Sequence, residues 1–261
     1  MWGVGKETSF ICGGENFFIG TDLETIALEL KKYYKWLTKM SKPDIETIAL
    51  QLESSNSKDR LLALASLREV TPEEAVPLIK KVLYDEMLPV RSMAVFALGV
   101  KQTEECFPIL VDLLANDADY GIRADAAGAL GYLEDIRAFE PLQRAFYEDT
   151  QWLVRFSAAV ALGNLGDIRA KQVLLSALDS NEAVIQQAAI AALGEIKAVE
   201  TVEKLLTFVN SDDWLIRQRL AEALGHLPAE KTIAALKFLV KDEHPQVREA
   251  ARLSLQKLAK V

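Results

Sequence analysis

A ten-residue phrase that recurs along the chain constrains its fold more than any other feature. Five copies end in glycine, at Gly99, Gly131, Gly163, Gly194 and Gly225: VRSMAVFALG, IRADAAGALG, VRFSAAVALG, IQQAAIAALG and IRQRLAEALG. Two diverged copies flank them, DRLLALASLR ending at Arg68 and VREAARLSLQ ending at Gln256. Successive copies end 31 or 32 residues apart. A period of this length indicates a solenoid built from repeated units.

Each unit carries the sequence signals of two helices. In FEPLQRAFYED, apolar residues recur at the spacing of one helical face: Phe139, Leu142, Ala145 and Phe146. The following TQWLVRFSAAVALG is rich in alanine, which allows neighbouring helices to approach closely. No strand-length alternating run competes with this pattern. The sequence therefore predicts an all-α solenoid of about seven two-helix repeats, with an extra N-terminal helix.

Residues between the helices predict where each helix begins and ends. Asp149 is expected to cap the second helix of its unit, because its carboxylate can accept bonds from unpaired backbone N–H groups. Gly163 is expected to end that helix in the left-handed conformation. Asp167 is expected to cap the first helix of the next unit.

An arginine recurs in the second helix beside a wall of apolar residues. Six residues before it stands an aspartate in four units: Asp85 before Arg91, Asp117 before Arg123, Asp149 before Arg155 and Asp242 before Arg248. Equal positions of stacked units lie side by side, so we expect each arginine to reach a neighbouring aspartate and form a ladder. Ser180 and Ser211 replace the aspartate in two units, and Gln186 replaces the arginine once. A structural role for these arginines is favoured over ligand binding.

Bulk composition bears on the class of protein. The chain has 261 residues and a formal net charge of −8, which disfavours a general nucleic-acid or anionic-membrane surface. Two cysteines, Cys12 and Cys106, are too few to suggest a disulfide framework, so a cytoplasmic, reducing location is expected. No apolar run reaches the ~20 residues of a membrane span, and the first residues lack the features of a signal peptide.

The N-terminal region departs from the repeat. Residues 1–20 are rich in glycine and predict an irregular extension. Residues 21–40 predict an extra helix, because DLETIALEL nearly duplicates DIETIALQL at the start of the first repeat. Residues 41–261 form the repeat solenoid in this interpretation. The segment MSKPDIETIALQL, which begins at Met40, has the character of an ordinary protein N-terminus. Residues 1–39 are therefore interpreted as an extension from an upstream start codon.

A search for catalytic and metal-binding patterns finds almost none. His226 and His244 lie near helix junctions without partners at ligand spacing, and both are expected to be solvated. No phosphate-binding glycine loop or nucleophile elbow is present. Cys106, beside Phe107 in a first helix, is expected to be a small buried side chain. The alternative is one thiolate ligand to an iron–sulfur cluster shared with a partner. We therefore predict no catalytic residue and no metal site.

The second helices are the more informative surface, because in a solenoid they usually line the concave side where partners bind. On a helical wheel, the residues one and five positions after each arginine point away from the core. These residues are Ser92 and Phe96, Ala124 and Gly128, Phe156 and Val160, Gln187 and Ala191, Gln218 and Glu222, and Glu249 and Leu253. The predicted groove is therefore apolar and shallow in the middle and polar toward the C-terminus.

A second row stands three residues before each arginine: Leu88, Tyr120, Trp152 and Trp214. It should border the same groove near the helix starts. Exposed apolar patches and aromatic side chains beside arginine are typical of binding sites, whereas the alternative role is packing between units. The candidate binding residues are Phe96, Tyr120, Trp152, Phe156, Val160 and Trp214.

Units such as WLVRFSAAVALGNLGDIRA resemble the HEAT-like repeats of cyanobacterial phycobilisome proteins, over roughly residues 41–258. The matching features are Trp or Tyr before (V/I)R and GD(I)RA after the glycine. That family includes bilin lyase subunits and a related phycobilisome-degradation factor. The resemblance implies a HEAT-like α-solenoid. For a lyase it also implies phycocyanobilin as ligand and a phycobiliprotein cysteine as acceptor. Its site would then use Asp125 for the pyrrole N–H groups, Arg123 and Arg155 for the propionates, and Tyr120, Trp152 and Phe156 for the π-system.

The chain also resembles cyanobacterial HEAT-repeat proteins of similar size that are partners of the A-type iron–sulfur scaffold protein. That resemblance implies protein binding without bilin chemistry. Our leading interpretation is a non-catalytic scaffold, without a cofactor, that binds a protein through its central groove. The partner would be a phycobiliprotein or an A-type iron–sulfur scaffold protein. The alternative is a phycobilin lyase or bilin-carrying factor.

Overall fold

The computed structural model describes residues 44–260. The predicted extension at 1–20 and the predicted extra helix at 21–40 lie outside the described residues. The chain divides into two compact units, 1–47 and 48–261, and only residues 44–47 of the first are described. Within residues 44–260 every regular element is a helix, which confirms the all-α prediction.

Fourteen α-helices alternate as first and second members of seven pairs within the described range. The first helices are α1 (Ile45–Leu52), α3 (Pro72–Lys80), α5 (Cys106–Asn116), α7 (Phe139–Glu148), α9 (Lys171–Ala177), α11 (Val202–Leu205) and α13 (Glu230–Leu239). The second helices are α2 (Ser57–Ser66), α4 (Leu88–Lys101), α6 (Tyr120–Leu133), α8 (Trp152–Asn164), α10 (Ala183–Glu195), α12 (Trp214–Leu224) and α14 (Pro245–Leu258). Short 3-10 helices lie at Leu67–Glu69, Ile136–Ala138, Ile168–Ala170, Val199–Thr201 and Leu206–Phe208.

The second helices pack side by side in one layer, each contacting the next from α2 to α14. Five first helices pack on the second helices of their own pairs: α3, α5, α7, α9 and α13. The apolar face predicted for α7 is confirmed, because Phe139, Leu142 and Phe146 are buried and Ala145 is half-buried. The core therefore runs as a continuous slab between two helix layers, as a solenoid requires.

The repeated glycine allows neighbouring second helices to touch, and the prediction that Gly163 ends its helix in a left-handed conformation is wrong. Gly163 lies inside α8, where an added Cβ would be 2.6 Å from the Cβ of Ala192 and 2.8 Å from its Cα. Left-handed backbone occurs instead at Gly166, after the helix ends. The same close approach joins Gly99 to Ala129, Gly131 to Ala161, Gly194 to Ala223 and Gly225 to Ser254.

The predicted arginine ladder forms in three places between adjacent units. Arg60 pairs with Asp85, Arg123 with Asp149 and Arg217 with Asp242, each with an Nε–Oδ2 distance of 2.7 Å. The same position also anchors its own unit, because its side chain donates to the carbonyl oxygen six residues earlier. This bond is made by Arg60, Arg91, Arg123, Arg155, Gln186, Arg217 and Arg248.

The ladder departs from the prediction at Arg91, which makes no ion pair with Asp117 and, within the described residues, donates only to the carbonyl of Asp85. It departs again in the middle units. Arg155 does not pair with an aspartate: its Nη2 lies 2.8 Å from Oε1 of Glu182. In this unit Ser180 occupies the position at which other units have an aspartate. The carboxylate is supplied by Glu182, two residues later. Across the next junction, where Gln186 has no charge, Gln187 donates to Oδ2 of Asp213 at 3.0 Å. At this junction a hydrogen bond therefore takes the place of the ladder's ion pair.

The helix starts are capped differently from the prediction. Asp149 is not the N-cap of α8; that residue is Gln151, whose backbone N–H donates to Oδ1 of Asp149 at 2.9 Å. Asp149 is thus the C-cap residue of α7. Its carboxylate accepts from the connection to α8 and also pairs with Arg123. Asp167 does not cap α9, whose N-cap is Ala170. It caps the 3-10 helix Ile168–Ala170 that leads into α9, where its Oδ1 accepts from the N–H of Arg169 at 2.9 Å.

Candidate partner-binding surface

The row of side chains predicted before each arginine lies at the very start of the second helices. Each is the first residue of its helix: Leu88 in α4, Tyr120 in α6, Trp152 in α8 and Trp214 in α12. Their exposed fractions are 42%, 50%, 47% and 36%, respectively. We call these four residues the start row. Their exposure counts against a purely internal packing role.

The side chains expected further along the second helices are less uniform. Phe96 is 43% exposed and its ring meets that of Tyr132 edge to face, with centroids 5.9 Å apart. Phe156 and Val160 are half-buried. Ala124 and Gly128 were expected to face outward, but both are buried. Their side chains are too short to protrude between α4 and α8, which flank α6.

The polar C-terminal end of this surface agrees with the prediction. Gln218 and Glu222 are half-buried and hydrogen-bonded to each other at 2.9 Å. Glu249 is exposed, as is Leu253. The apolar part of the surface therefore belongs mainly to α4, α6 and α8. We call this part, together with the start row, the second-helix surface.

Asp125 is a half-buried carboxyl on α6. Burial raises the pKa of Asp125 to about 6, a hydrogen bond with Ser92 on α4 opposes this rise, and the charge of Asp119 adds to it. The group therefore changes charge close to neutral pH, unlike an ordinary aspartate.

The two arginines that the family resemblance assigns to a ligand are engaged in the ladder. Arg123 donates from Nε and Nη2 to Asp149 and from Nη1 to the carbonyl of Asp117. Arg155 donates to Glu182 and to the carbonyls of Asp149 and Thr150. A ligand carboxylate would have to compete with these partners for either guanidinium.

Neither histidine is free in solvent, contrary to expectation. The ring of His244 stacks on Trp214, with centroids 4.0 Å apart and an interplanar angle of 18°. Nδ1 of His244 is buried and has no hydrogen-bond partner within the described residues. His226 is half-buried, with Nε2 2.8 Å from Nζ of Lys257. Burial lowers the pKa of His226, and the charge of Lys257 lowers it further.

Cys106 begins α5 and is fully buried, as expected for a small core side chain. Its Sγ lies 3.2 Å from the hydroxyl of Thr103. Among residues 44–260, no three His, Cys, Asp or Glu side chains are grouped so that they could hold a metal ion. A buried thiol would need local opening to reach a cluster shared with a partner.

Three residues that contact the predicted site residues were not predicted from the sequence. Glu182 replaces the ladder aspartate, and the substitution of Ser180 at that position was the available signal. His244 stacks on the next unit's aromatic residue, which only the register of the two units reveals. Tyr132 supports Phe96 from the residue after the repeated glycine, where no periodic pattern marks it.

The family of this chain is shown by comparison with known repeats. The family described as HEAT repeats matches residues 45–131, 107–194 and 174–256. The chain therefore belongs to the HEAT-repeat family. No protein of curated function matches it significantly. Among residues 44–260, no helix combines the length and apolar character needed to cross a bilayer.

Solved structures with similar folds support the solenoid architecture. The complex of CpcE and CpcF of phycocyanin lyase from Nostoc sp. is 22% identical, with a TM-score of 0.54, covering 84% of this chain and 96% of that chain. An engineered protein is 21% identical, with a TM-score of 0.51, covering 82% and 68%. At these identities the likeness shows the fold alone.

Proposed function

We propose that this HEAT-repeat protein is a non-catalytic scaffold that binds a protein partner through its second-helix surface. The observation that carries this proposal is the start row, which places large apolar side chains in solvent on helices of one layer. Tyr120 and Trp152 are about half exposed on adjacent helices, and Phe96 is exposed one helix further on. Contiguous exposed apolar patches usually mark interaction sites, and aromatic residues are typical anchors of interfaces.

The partner that the family resemblance favours is a phycobiliprotein or an A-type iron–sulfur scaffold protein, in a cyanobacterial cytoplasm. Protein recognition is a role that a stacked array suits, because equivalent positions of successive units present one extended surface. The half-buried Phe156 and Val160 form the floor of the apolar part in this proposal. No bound cofactor is required.

The test compares capture of these two proteins by the wild-type chain and by Phe156→Asp. A charge at this half-buried position is costly when an apolar partner covers it, so Phe156→Asp should lose the captured partner. Glu249→Asp, at an exposed position of the polar end, is the matched control and should retain it. Circular dichroism melting must show that Phe156→Asp remains folded. If it folds and still captures the partner, the surface lies elsewhere.

Bilin binding is the second candidate, and it is favoured by a different observation. Asp125 lies on α6, whose first residue is Tyr120, and α8 beside it begins with Trp152. Asp125 is a half-buried carboxyl and could accept pyrrole N–H groups. The likeness to the phycocyanin lyase complex supports the fold that such a site would need. Against it, Arg123 and Arg155 already have carboxylate partners.

Phycocyanobilin itself distinguishes the two candidates. A bilin-binding protein should change the visible absorption spectrum of added phycocyanobilin, and Asp125→Asn should reduce that change. A scaffold without bilin affinity should leave the spectrum unaltered while it still captures its protein partner.

A further inference from the structure

We propose that Trp152 and Glu182 form a slot that binds the guanidinium group of an arginine on the partner protein. This inference rests on the proposed function, because it specifies the chemistry of one side chain that the second-helix surface recognises. An equivalent pair of residues, Trp214 and His244, lies elsewhere in the array.

One aromatic ring of the start row, that of Trp214, is already covered by a planar group that contains nitrogen, the ring of His244. Trp214 begins α12, and the N-cap residue of the following second helix, His244, lies flat on it at a centroid distance of 4.0 Å. At this junction the N-cap residue of one second helix therefore lies over the aromatic ring that begins the preceding second helix. In the last two units that position is filled from within the chain.

Glu182 occupies the position that corresponds to His244. Trp152 begins α8, and Glu182 is the N-cap of α10, the next second helix. Trp152 and Trp214 each stand three residues before their ladder position, and Glu182 and His244 each stand four residues before theirs. Where Trp214 has a ring above it, Trp152 therefore has a carboxylate at the corresponding position. Trp152 is 47% exposed and the side chain of Glu182 is 41% exposed.

Glu182 is well prepared to receive a cation. Its Oε2 accepts from the hydroxyl of Ser180 at 2.6 Å and its Oε1 from Arg155 at 2.8 Å. The Ser180 hydrogen bond is the main reason that the pKa of Glu182 is lowered, and the charge of Arg155 lowers it further. A carboxylate offers about four acceptor positions, so these two bonds fix its orientation without filling it.

Arginine fits such a place better than lysine does. Its guanidinium is planar, stacks on an aromatic face and donates hydrogen bonds within its own plane. One group can therefore lie on Trp152 and donate sideways to Glu182. A lysine ammonium can make the cation–π contact but presents no flat surface to the ring.

The combination is specific to one junction of the described array. Tyr120 is followed in the next unit by Gln151 at the N-cap position, which has no charge. Leu88 is followed by Asp119, which has a carboxylate, but Leu88 has no ring. Among residues 44–260, a start-row ring and a carboxylate N-cap coincide only at Trp152 and Glu182.

The slot is tested with the full chain and a blocked peptide of sequence Leu-Arg-Leu-Leu-Arg-Leu. The leucines supply apolar contacts, and a peptide with citrulline in place of both arginines is the uncharged, nearly isosteric control. The readout is the indole N–H resonance of Trp152 in nitrogen–proton correlation spectra, assigned with Trp152→Phe. We expect saturable movement of that resonance with the arginine peptide. Binding of the citrulline peptide should be about fivefold weaker or more, since a cation–π contact and an exposed ion pair are both lost.

Two variants sharpen the test. Glu182→Gln should weaken binding of the arginine peptide about as much as citrulline does, with a circular dichroism melt to confirm that the chain is folded. His244→Glu places a carboxylate beside Trp214 and removes the ring that covers it, so the Trp214 resonance should begin to respond to the arginine peptide. In the wild-type chain, Trp214 should respond less than Trp152.

The inference is overturned if the Trp152 resonance does not move, if the citrulline peptide binds as well, or if Glu182→Gln binds normally. Its failure is separable from failure of the proposed function. If Phe156→Asp loses the protein partner while arginine and citrulline peptides behave alike, only the guanidinium slot is wrong. If folded Phe156→Asp keeps the partner, the proposed surface itself is wrong.

Discussion

Arg217 and Asp242 join the last two repeats through two nearly parallel bonds, Nε to Oδ2 at 2.7 Å and Nη2 to Oδ1 at 2.9 Å. Both side chains are largely removed from solvent, with exposed fractions of 8% and 7%. The Nη1 of Arg217 also donates to the carbonyl of Ser211 at 2.6 Å. One side chain thus ties the turn of its own unit to the carboxylate of the next, which is how the ladder couples neighbouring units.

We expect Arg217→Ala to destabilise the array strongly, because it leaves the buried carboxylate of Asp242 without its partner. Breaking a fully buried ion pair in this way costs ~3–5 kcal/mol. Arg155→Ala should cost less, because its partner Glu182 is more exposed, and screening by water weakens such pairs. Urea unfolding of both variants gives the comparison.

Arg219→Ala is the matched control for these ladder variants. Arg219 lies in the same helix as Arg217, but it pairs only with Glu222 within one turn. Its loss should change the free energy of unfolding by about 1 kcal/mol or less. Equal urea-unfolding midpoints for Arg217→Ala and Arg219→Ala would show that the ladder does not contribute to stability.

Gly163→Ala tests why glycine recurs in the phrase. Helix propensity alone would stabilise this variant by about 1 kcal/mol. We expect destabilisation instead, because the new methyl group would meet Ala192 at 2.6 Å, and overpacking typically costs about 1–3 kcal/mol. Thermal melting decides between the two signs.

A compensating change provides the control for Gly163→Ala. Ala192→Gly in the same chain moves the missing methyl group to the other helix and should recover part of the lost stability. No recovery in the double variant would assign the strain to the 2.8 Å approach to the Cα of residue 192, which this change retains.

The glycine also shows where sequence reasoning works and where it stops. The period and the apolar faces follow from local patterns, so the seven described helix pairs and the burial of Phe139, Leu142 and Phe146 were predictable. A glycine near a helix end is equally compatible with termination and with close packing. Only the register of adjacent units distinguishes these two roles of the glycine, and the sequence of a single unit does not specify that register.

The same limit applies to the candidate surface. The position of Trp152 and Trp214 near the helix starts was predicted from their spacing before the arginines, whereas the choice between exposure and packing between units was left open. That His244 covers Trp214, while Glu182 stands at the corresponding place beside Trp152, depends on contacts between units. Ala124 and Gly128 were expected to face outward but are buried, because a wheel contains no information about the height of neighbouring helices.

A chain beginning at Met40 tests the interpretation of residues 1–39 as an added extension. We expect it to remain soluble and to unfold with nearly unchanged stability, because stability in a solenoid is close to a sum over units and neighbour interfaces. Circular dichroism and urea unfolding would measure this. Insoluble product, or loss of cooperative unfolding, would instead assign a necessary capping role to the helix expected at 21–40.

Asp125 predicts a pH dependence of stability whose sign is opposite to that of the ladder carboxylates. The pKa of Asp242 is lowered, mainly by its hydrogen bond with Arg217, so its contribution is present at neutral pH and is lost on acidification through that lowered pKa. Burial raises the pKa of Asp125 from 3.8 to about 6. Between these two values the folded chain binds a proton that the unfolded chain does not, so this group favours folding at low pH and opposes it at high pH.

Asp125→Asn should therefore stabilise the chain at pH 8, where the native carboxylate is charged, by up to about 2–3 kcal/mol from the size of the shift. The amide can still hydrogen-bond with Ser92. At pH 4 the carboxyl is largely protonated in the folded chain, so the gain should shrink toward zero. Asp212→Asn, at an exposed position, is the control for the same chemical change outside the half-buried site. A gain from Asp125→Asn that is the same at pH 4 and pH 8 would show that the charge of Asp125 does not oppose folding.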